Sequence, residues 1–257
     1  MTADLTAPTT DRTIDLDPPR DGATGGGSWD RTLAILAAVV AVADLAIQPL
    51  AGLIPPLLAF GVLGLAGVAV LPRRPKVGRI GLLVVSLLGT AGGAPFALAG
   101  LAHPESPIDF VHGVTSLPLR VVVLVAAVAA LRGASTGARR TRLVTLGSLG
   151  GLVVVAVVSS FVVGSSVVVD PGDVVLRTEG AVFVDGDQLA VATGERLVVD
   201  NADPFRHTFT IEDAGVDVEI PAGRTVEVPL DLQPGTYDYI CAVPGHEAMT
   251  GTLVVGS

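Results

Sequence analysis

Five apolar runs separated by short loops fill the chain at about 32–53, 55–71, 79–102, 114–131 and 143–165. A helix rises about 1.5 Å per residue, so crossing the hydrocarbon core takes roughly 20 residues, with roughly 17 as the lower limit. Repeated runs of that length specify a membrane α-helical bundle of about five transmembrane helices, with the lipid bilayer as partner. The second and fourth runs are the marginal ones. Composition agrees: half of the residues are hydrophobic and 16% are charged, and the mean hydropathy is +0.65, above the usual range of a soluble domain.

The loops orient the bundle. "PRRPKVGR" between runs two and three carries Arg73, Arg74, Lys76 and Arg79, and "RGASTGARRTR" between runs four and five carries Arg132, Arg139, Arg140 and Arg142. The two alternate loops are uncharged ("QPLAGLIPP") or acidic ("HPESPIDF"). Basic loops stay cytoplasmic, which puts the N-terminus inside and everything after the fifth helix outside the cytoplasmic membrane. Residues 1–30 are polar and rich in Gly, Pro, Thr and Asp, the composition of a disordered cytoplasmic tail. The first apolar run follows that tail without an abutting basic region and reads as a retained anchor.

Two ionisable residues interrupt the runs. Asp44 lies thirteen residues after Arg31, and Arg120 lies twelve residues before Arg132. Both therefore stand roughly 18–20 Å above the inner boundary. Charge at that depth calls for a partner, so either Asp44 and Arg120 pair between helices one and four, or both reach the outer interface.

After Val169 the pattern changes to short alternating runs such as "HTFTIE", "VDVEIPAG" and "TYDYICAV", punctuated by Gly, Pro and Asp. That period of two over residues 169–257 reads as an all-β antiparallel sandwich following the helical region at 31–168. The charge changes too: residues 170–257 hold four Arg, no Lys and sixteen Asp/Glu. Such a domain is a poor nucleic-acid binder, and no phosphate loop or nucleophile elbow marks an organic substrate. The acidity suits a basic partner or serves solubility alone.

The scarce soft and imidazole ligands gather near the C-terminus. "YICAVPGHEAM" holds the chain's one cysteine, Cys241, together with His246 and Met249, spaced Cys-x4-His-x2-Met. His207, which opens "HTFTIE", is the other histidine of this half. Two imidazoles, a thiolate and a thioether form the ligand set of a mononuclear type 1 copper site cycling between Cu(II) and Cu(I). Zinc is the rival ion, and a buried Cys with a core Met is the purely structural alternative. His103 and His112, with Glu105 and Asp109, fall in the outer loop between helices three and four and form a candidate accessory metal or docking site.

"YDYICAVPGHEAMTGTLVV" resembles the C-terminal copper loop of the cupredoxins, the blue copper proteins, in their azurin and plastocyanin-like branch, and "LVVDNADPFRHTFTI" resembles their upstream segment. The resemblance covers about residues 170–257 and implies a Greek-key sandwich. It implies His207, Cys241 and His246 as in-plane ligands, Met249 as the axial one, and Asn201 as a hydrogen-bonding brace of the loop. Azurins place Gly where Arg206 stands here. The resemblance also implies that electrons pass through the edge of His246, ringed by Ala242, Val243, Pro244 and Ala248. With one cysteine and no His-x-His pair, binuclear and trinuclear copper chemistry is excluded. The function expected is therefore one-electron transfer to a redox partner protein, not catalysis. Copper capture, sensing or delivery at the membrane is the alternative.

Overall fold

The computed structural model describes residues 25–51, 54–162, 166–246 and 248–256. Helical rods form over the five apolar runs: α1 (Gly25–Ala46) with the short α2 (Gln48–Ala51), α3 (Pro55–Val70), α4 (Pro75–Leu101), α5 (Pro107–Ser116) with α6 (Pro118–Leu131), and α7 (Ala138–Val162). Pro stands in the first turn of α3, α4, α5 and α6, where its missing N–H costs nothing and its fixed φ suits the helix. Four stretches, Ser28–Leu50, Pro75–Leu101, Pro107–Leu131 and Ala138–Val162, are long and apolar enough to cross a membrane, while α3 is shorter.

Three boundaries differ from expectation. Residues 1–24 of the expected tail lie outside the described residues, but 25–30 are already helical. Trp29 and Asp30 find partners there: the Trp29 indole donates to the Thr136 carbonyl at 2.9 Å, and Asp30 takes both hydrogen bonds of a 2.7 Å fork from Arg79. The fourth run extends back to Pro107, broken only at Leu117, whose helical conformation the following Pro disfavours. Asp109 and His112 therefore lie on α5, not in a loop.

Packing of α1 against α3 and α6 builds the bundle core, with Leu33, Leu36, Val40, Leu82, Val123 and Ala126 inside it. Asp44 and Arg120 meet within it at 2.5 Å, with 0% and 2% of their side chains exposed. The Arg120 guanidinium also lies 5.6 Å from the Phe60 ring centroid, a cation–π distance. Gly89 makes room for it, since a Cβ at that position would run into the guanidinium.

Residues 174–256 fold into two sheets. One has the order β2 (Phe183–Val184), β1 (Val174–Thr178), β4 (Leu197–Asn201), β7 (Thr225–Val228); the other β3 (Gln188–Ala192), β9 (Thr250–Gly256), β8 (Gly235–Ile240), β5 (His207–Ile211), β6 (Val216–Ile220). The expected all-antiparallel pairing needs correcting. β1 runs parallel to β4 and β3 parallel to β9, because the chain changes sheets between β2 and β3 and again between β3 and β4. Phe209 and Tyr239 stack at 4.6 Å in the core between the sheets, and the Tyr239 hydroxyl donates to the Gly186 carbonyl at 2.6 Å.

Replacing Arg120 by Leu alone is expected to destabilise the bundle by about 3–5 kcal/mol, because it strands the Asp44 carboxylate in the core. Replacing Asp44 and Arg120 together should recover most of that loss. Thermal unfolding of the wild type, the two single variants at Asp44 and Arg120 and the double variant in detergent measures the coupling, and strictly additive losses would contradict it.

Candidate metal centre

His207 begins β5 at the centre of its sheet, and its side chain is fully buried. The turn ahead of it is held by Asn201. The Asn201 amide nitrogen donates to the carbonyls of Phe205 (2.9 Å) and Ile220 (3.1 Å), and its oxygen accepts from the Asp203 N–H (2.9 Å) and the Thr178 hydroxyl (3.0 Å). This places the Asp203 carboxylate under the β1–β2 turn, where Gly180 and Ala181, both at positive φ, present their N–H groups to it at 2.7 and 3.1 Å. Asp203 in turn sits 2.8 Å from His207 Nε2. A carboxylate only accepts, so Nε2 carries the proton and Nδ1 keeps its lone pair.

That Nδ1 faces Cys241 Sγ at 3.8 Å, and His246 Nδ1 faces the same sulfur at 3.5 Å. The three donor atoms lie within 4.8 Å of one another, forming the one such group of three among the described residues. Cys241 follows the end of β8, and the loop is closed by hydrogen bonds from Cys241 N to Met249 O (2.9 Å), Met249 N to His246 O (2.8 Å) and His246 N to Val243 O (3.0 Å). Met249 is buried in the same core cluster as Cys241. Thr208 ties the loop to β5: its N–H points at Cys241 Sγ at 3.4 Å, and its hydroxyl accepts from Ala242 N–H at 2.7 Å.

Burial holds the Cys241 thiol above its ordinary pKa, so the sulfur becomes a thiolate only when a cation takes the proton's place. Burial is also the main influence on His207. It lowers the imidazole below its ordinary value against the opposing pull of Asp203, which keeps the ring neutral and able to ligate. Burial would raise Asp203, but the Gly180 and Ala181 N–H groups and the His207 ring outweigh it and hold the carboxylate low. The set suits an ion that accepts two neutral imidazoles and a thiolate with a soft thioether at hand. Copper in a type 1 arrangement fits that description.

Several expectations change at this point. Asn201 braces the turn before His207, whereas the 241–246 loop is braced by Thr208. Asp203, the carboxylate that orients His207, was missed, although it stands four residues before the histidine in "NADPFRH". Val243 is buried in the sandwich core, so it adds nothing to a surface patch; Ala242 and Ala248 are exposed and Pro244 is half-buried. His103 and His112 do not converge. His103 Nδ1 pairs with Glu105 at 2.9 Å, while the His112 ring lies 3.1 Å from the Ser116 hydroxyl one turn along its own helix.

The family of cupredoxin-like domains matches residues 181–255. This stretch is a cupredoxin-like domain. Among solved structures, an oxidised amicyanin variant is similar at 22% identity and TM-score 0.29, covering 34% of this chain and 85% of that one. The Cu(I) form of another amicyanin variant aligns with the same values. A copper-containing nitrite reductase from Thermus scotoductus SA-01 is similar at 22% identity and TM-score 0.30, covering 35% of this chain and 23% of that one. No curated protein matches the chain.

Removing the Asp203 carboxylate by Asp203→Ala is expected to weaken copper binding about 10–100-fold, as loss of a group orienting a ligand does; competition titration against a chelator reads it. Acid should also destabilise the metal-free domain. His207 and Asp203 both bind protons less readily folded than unfolded. Their contributions are therefore complete above the ordinary values and decline as pH falls, His207 from about 6.5 and Asp203 from about 3.9. Both tyrosines, Tyr237 and Tyr239, lie in this domain, so tyrosine near-UV dichroism reports its melting. A melting temperature flat between pH 7.5 and 5 would contradict the His207 contribution.

Proposed function

We propose that the protein is a membrane-anchored blue copper protein that passes one electron at a time through a centre built by His207, Cys241, His246 and Met249. The observation that carries this reading is the convergence of two imidazole nitrogens, of His207 and His246, on the buried Cys241 sulfur. Copper bound there supplies a one-electron couple between Cu(II) and Cu(I). The protein's part is to hold the donors still: Asp203 fixes the His207 ring, Thr208 fixes Cys241, and the Cys241–Met249 backbone bond closes the loop. Donors that need not move between oxidation states keep reorganisation small. Four protein donors leave no position for a substrate, so the role is electron transfer and not catalysis.

The helices supply the anchor. The turns carrying Arg73 and Arg74 and carrying Arg132 lie at one end of the bundle, and the sandwich contacts the other, at Ser106, Asp109 and Ser160. Together with the preference of basic loops for the cytoplasm, this supports a domain on the outer face of the cytoplasmic membrane. The partner is a second redox protein, which an acidic domain would steer by opposite charge.

Full-length protein loaded with Cu(II) in detergent should show an intense blue thiolate-to-copper band, absent in Cys241→Ser. Reversible voltammetry with slow copper loss to a chelator is the accompanying expectation. A band that survives Cys241→Ser would sink the assignment, and ready release of copper would point to copper handling instead.

A further inference from the structure

Both segments that bring donors to the centre also touch the outer ends of α4 and α5. The main-chain N–H of Arg206, next to His207, donates to the Asp109 carboxylate at 2.8 Å. The Arg206 side chain is buried and donates to both oxygens of Glu219, at 2.7 and 3.0 Å. Glu219 lies 3.5 Å from His103 Nε2, at the outer end of α4. Beside them, Ala222 N donates to the Ser106 hydroxyl at 3.3 Å, and Arg224 donates to the Ser160 carbonyl. On the loop side, Gly245 sits at φ +90° against Phe96, where a Cβ would stand 3.1 Å from Cε1 of the ring. Only glycine suits both that backbone and that approach.

We infer that the outer end of α4 and α5 is a built-in docking partner for the copper-loop end of the sandwich, and that Asp109 is a positioning residue for the centre. Arg206 N–H lies on a buried residue at the head of β5, and Asp109 is its acceptor. An orphaned N–H there is costly, so without the carboxylate the 203–206 turn shifts to find another acceptor. That turn carries Asp203, and Asp203 orients the His207 ring. A helix of the membrane region thereby reaches the centre through Arg206, Asp203 and His207. The docking rests on protein contacts alone, whereas the consequence for copper rests on the proposed function. Docked in this way, the loop meets a redox partner beside the end of α4, at the membrane surface, and not on a freely swinging domain.

The test uses the full chain in lipid nanodiscs. With Cys241→Ser removing the native thiol, Ser106→Cys with Ala222→Cys should cross-link nearly completely under mild oxidation in metal-free protein. Ser106→Cys with Thr193→Cys should not, because Thr193 follows the far end of β3. Separately, metal-free Asp109→Ala should exchange the amides of residues 203–209 about tenfold faster or more than wild type. Asp109→Asn, which keeps an acceptor, should restore most of the protection. Copper-loaded Asp109→Ala should shift its reduction potential and Cu(II) spectrum, and Asp109→Asn should shift them less. Failure of the first pair to cross-link, or exchange indifferent to Asp109→Ala, overturns the docking. Faster exchange with unchanged potential and spectrum overturns the positioning role. The metal-free arms decide the docking even if copper titration of the wild type refutes the blue copper reading.

Discussion

The pair of hydrogen bonds between Thr208 and the Cys241–Ala242 segment is the joint on which the centre depends. One donor, His207, comes from β5, and the others come from the loop that follows β8, so something must hold the two segments in register. The ladder joins β5 and β8 only at Thr210 and Ile240. Beyond it, the Thr208 N–H reaching Cys241 Sγ and the Thr208 hydroxyl receiving Ala242 N–H carry the register to the metal-binding end. This also explains why Thr208 and Thr210 are buried in a strand whose alternation would send them to solvent. The loop meets that face at the Thr208 hydroxyl, and the Thr210 hydroxyl lies between Thr208 (3.0 Å) and the Asp217 carboxylate (2.8 Å).

The same desolvation constraint governs the helical half. Asp44 and Arg120 lie where water does not reach, and each is tolerable only because the other is there, with Phe60 beside the cation and no side chain at Gly89. The cost of burying charge thereby becomes a constraint on how α1, α3, α4 and α6 pack. A bundle fixed in this way can serve as a platform, and the contacts at Asp109, Ser106 and Phe96 use it as one. The domain that carries the centre is seated on the helices through the residues that flank its donors.

How much of this was legible in the sequence depends on how local each signal was. The five apolar runs and the clustering of Cys241, His246 and Met249 follow from spacing along the chain. Spacing also put Asp44 and Arg120 at matching depth, while the structure decided that they pair and do not both reach the outer interface. The start of α1 at Gly25 and the extension of α5 to Pro107 did not follow from spacing, because Trp29, Asp30 and Asp109 look polar or loop-like until their distant partners are known. Val243 looked like a surface residue for a related reason. Ala242 before it is exposed and Pro244 after it is half-buried, but its own side chain turns into the core.

By itself the sequence indicated the two fold classes, separated basic loops from uncharged or acidic ones and singled out the four candidate side chains of the centre, because each of these signals is a matter of residue type and pattern along the chain. Only the tertiary structure decided which groups support those side chains. Asp203 reaches His207 because the β1–β2 turn pins it, Thr208 rather than Asn201 braces the copper loop, and Asp109 meets Arg206 across 97 residues of chain. Hydrogen bonds between segments far apart leave no periodic trace in a sequence, since any polar residue can make them and only folding brings the two ends together.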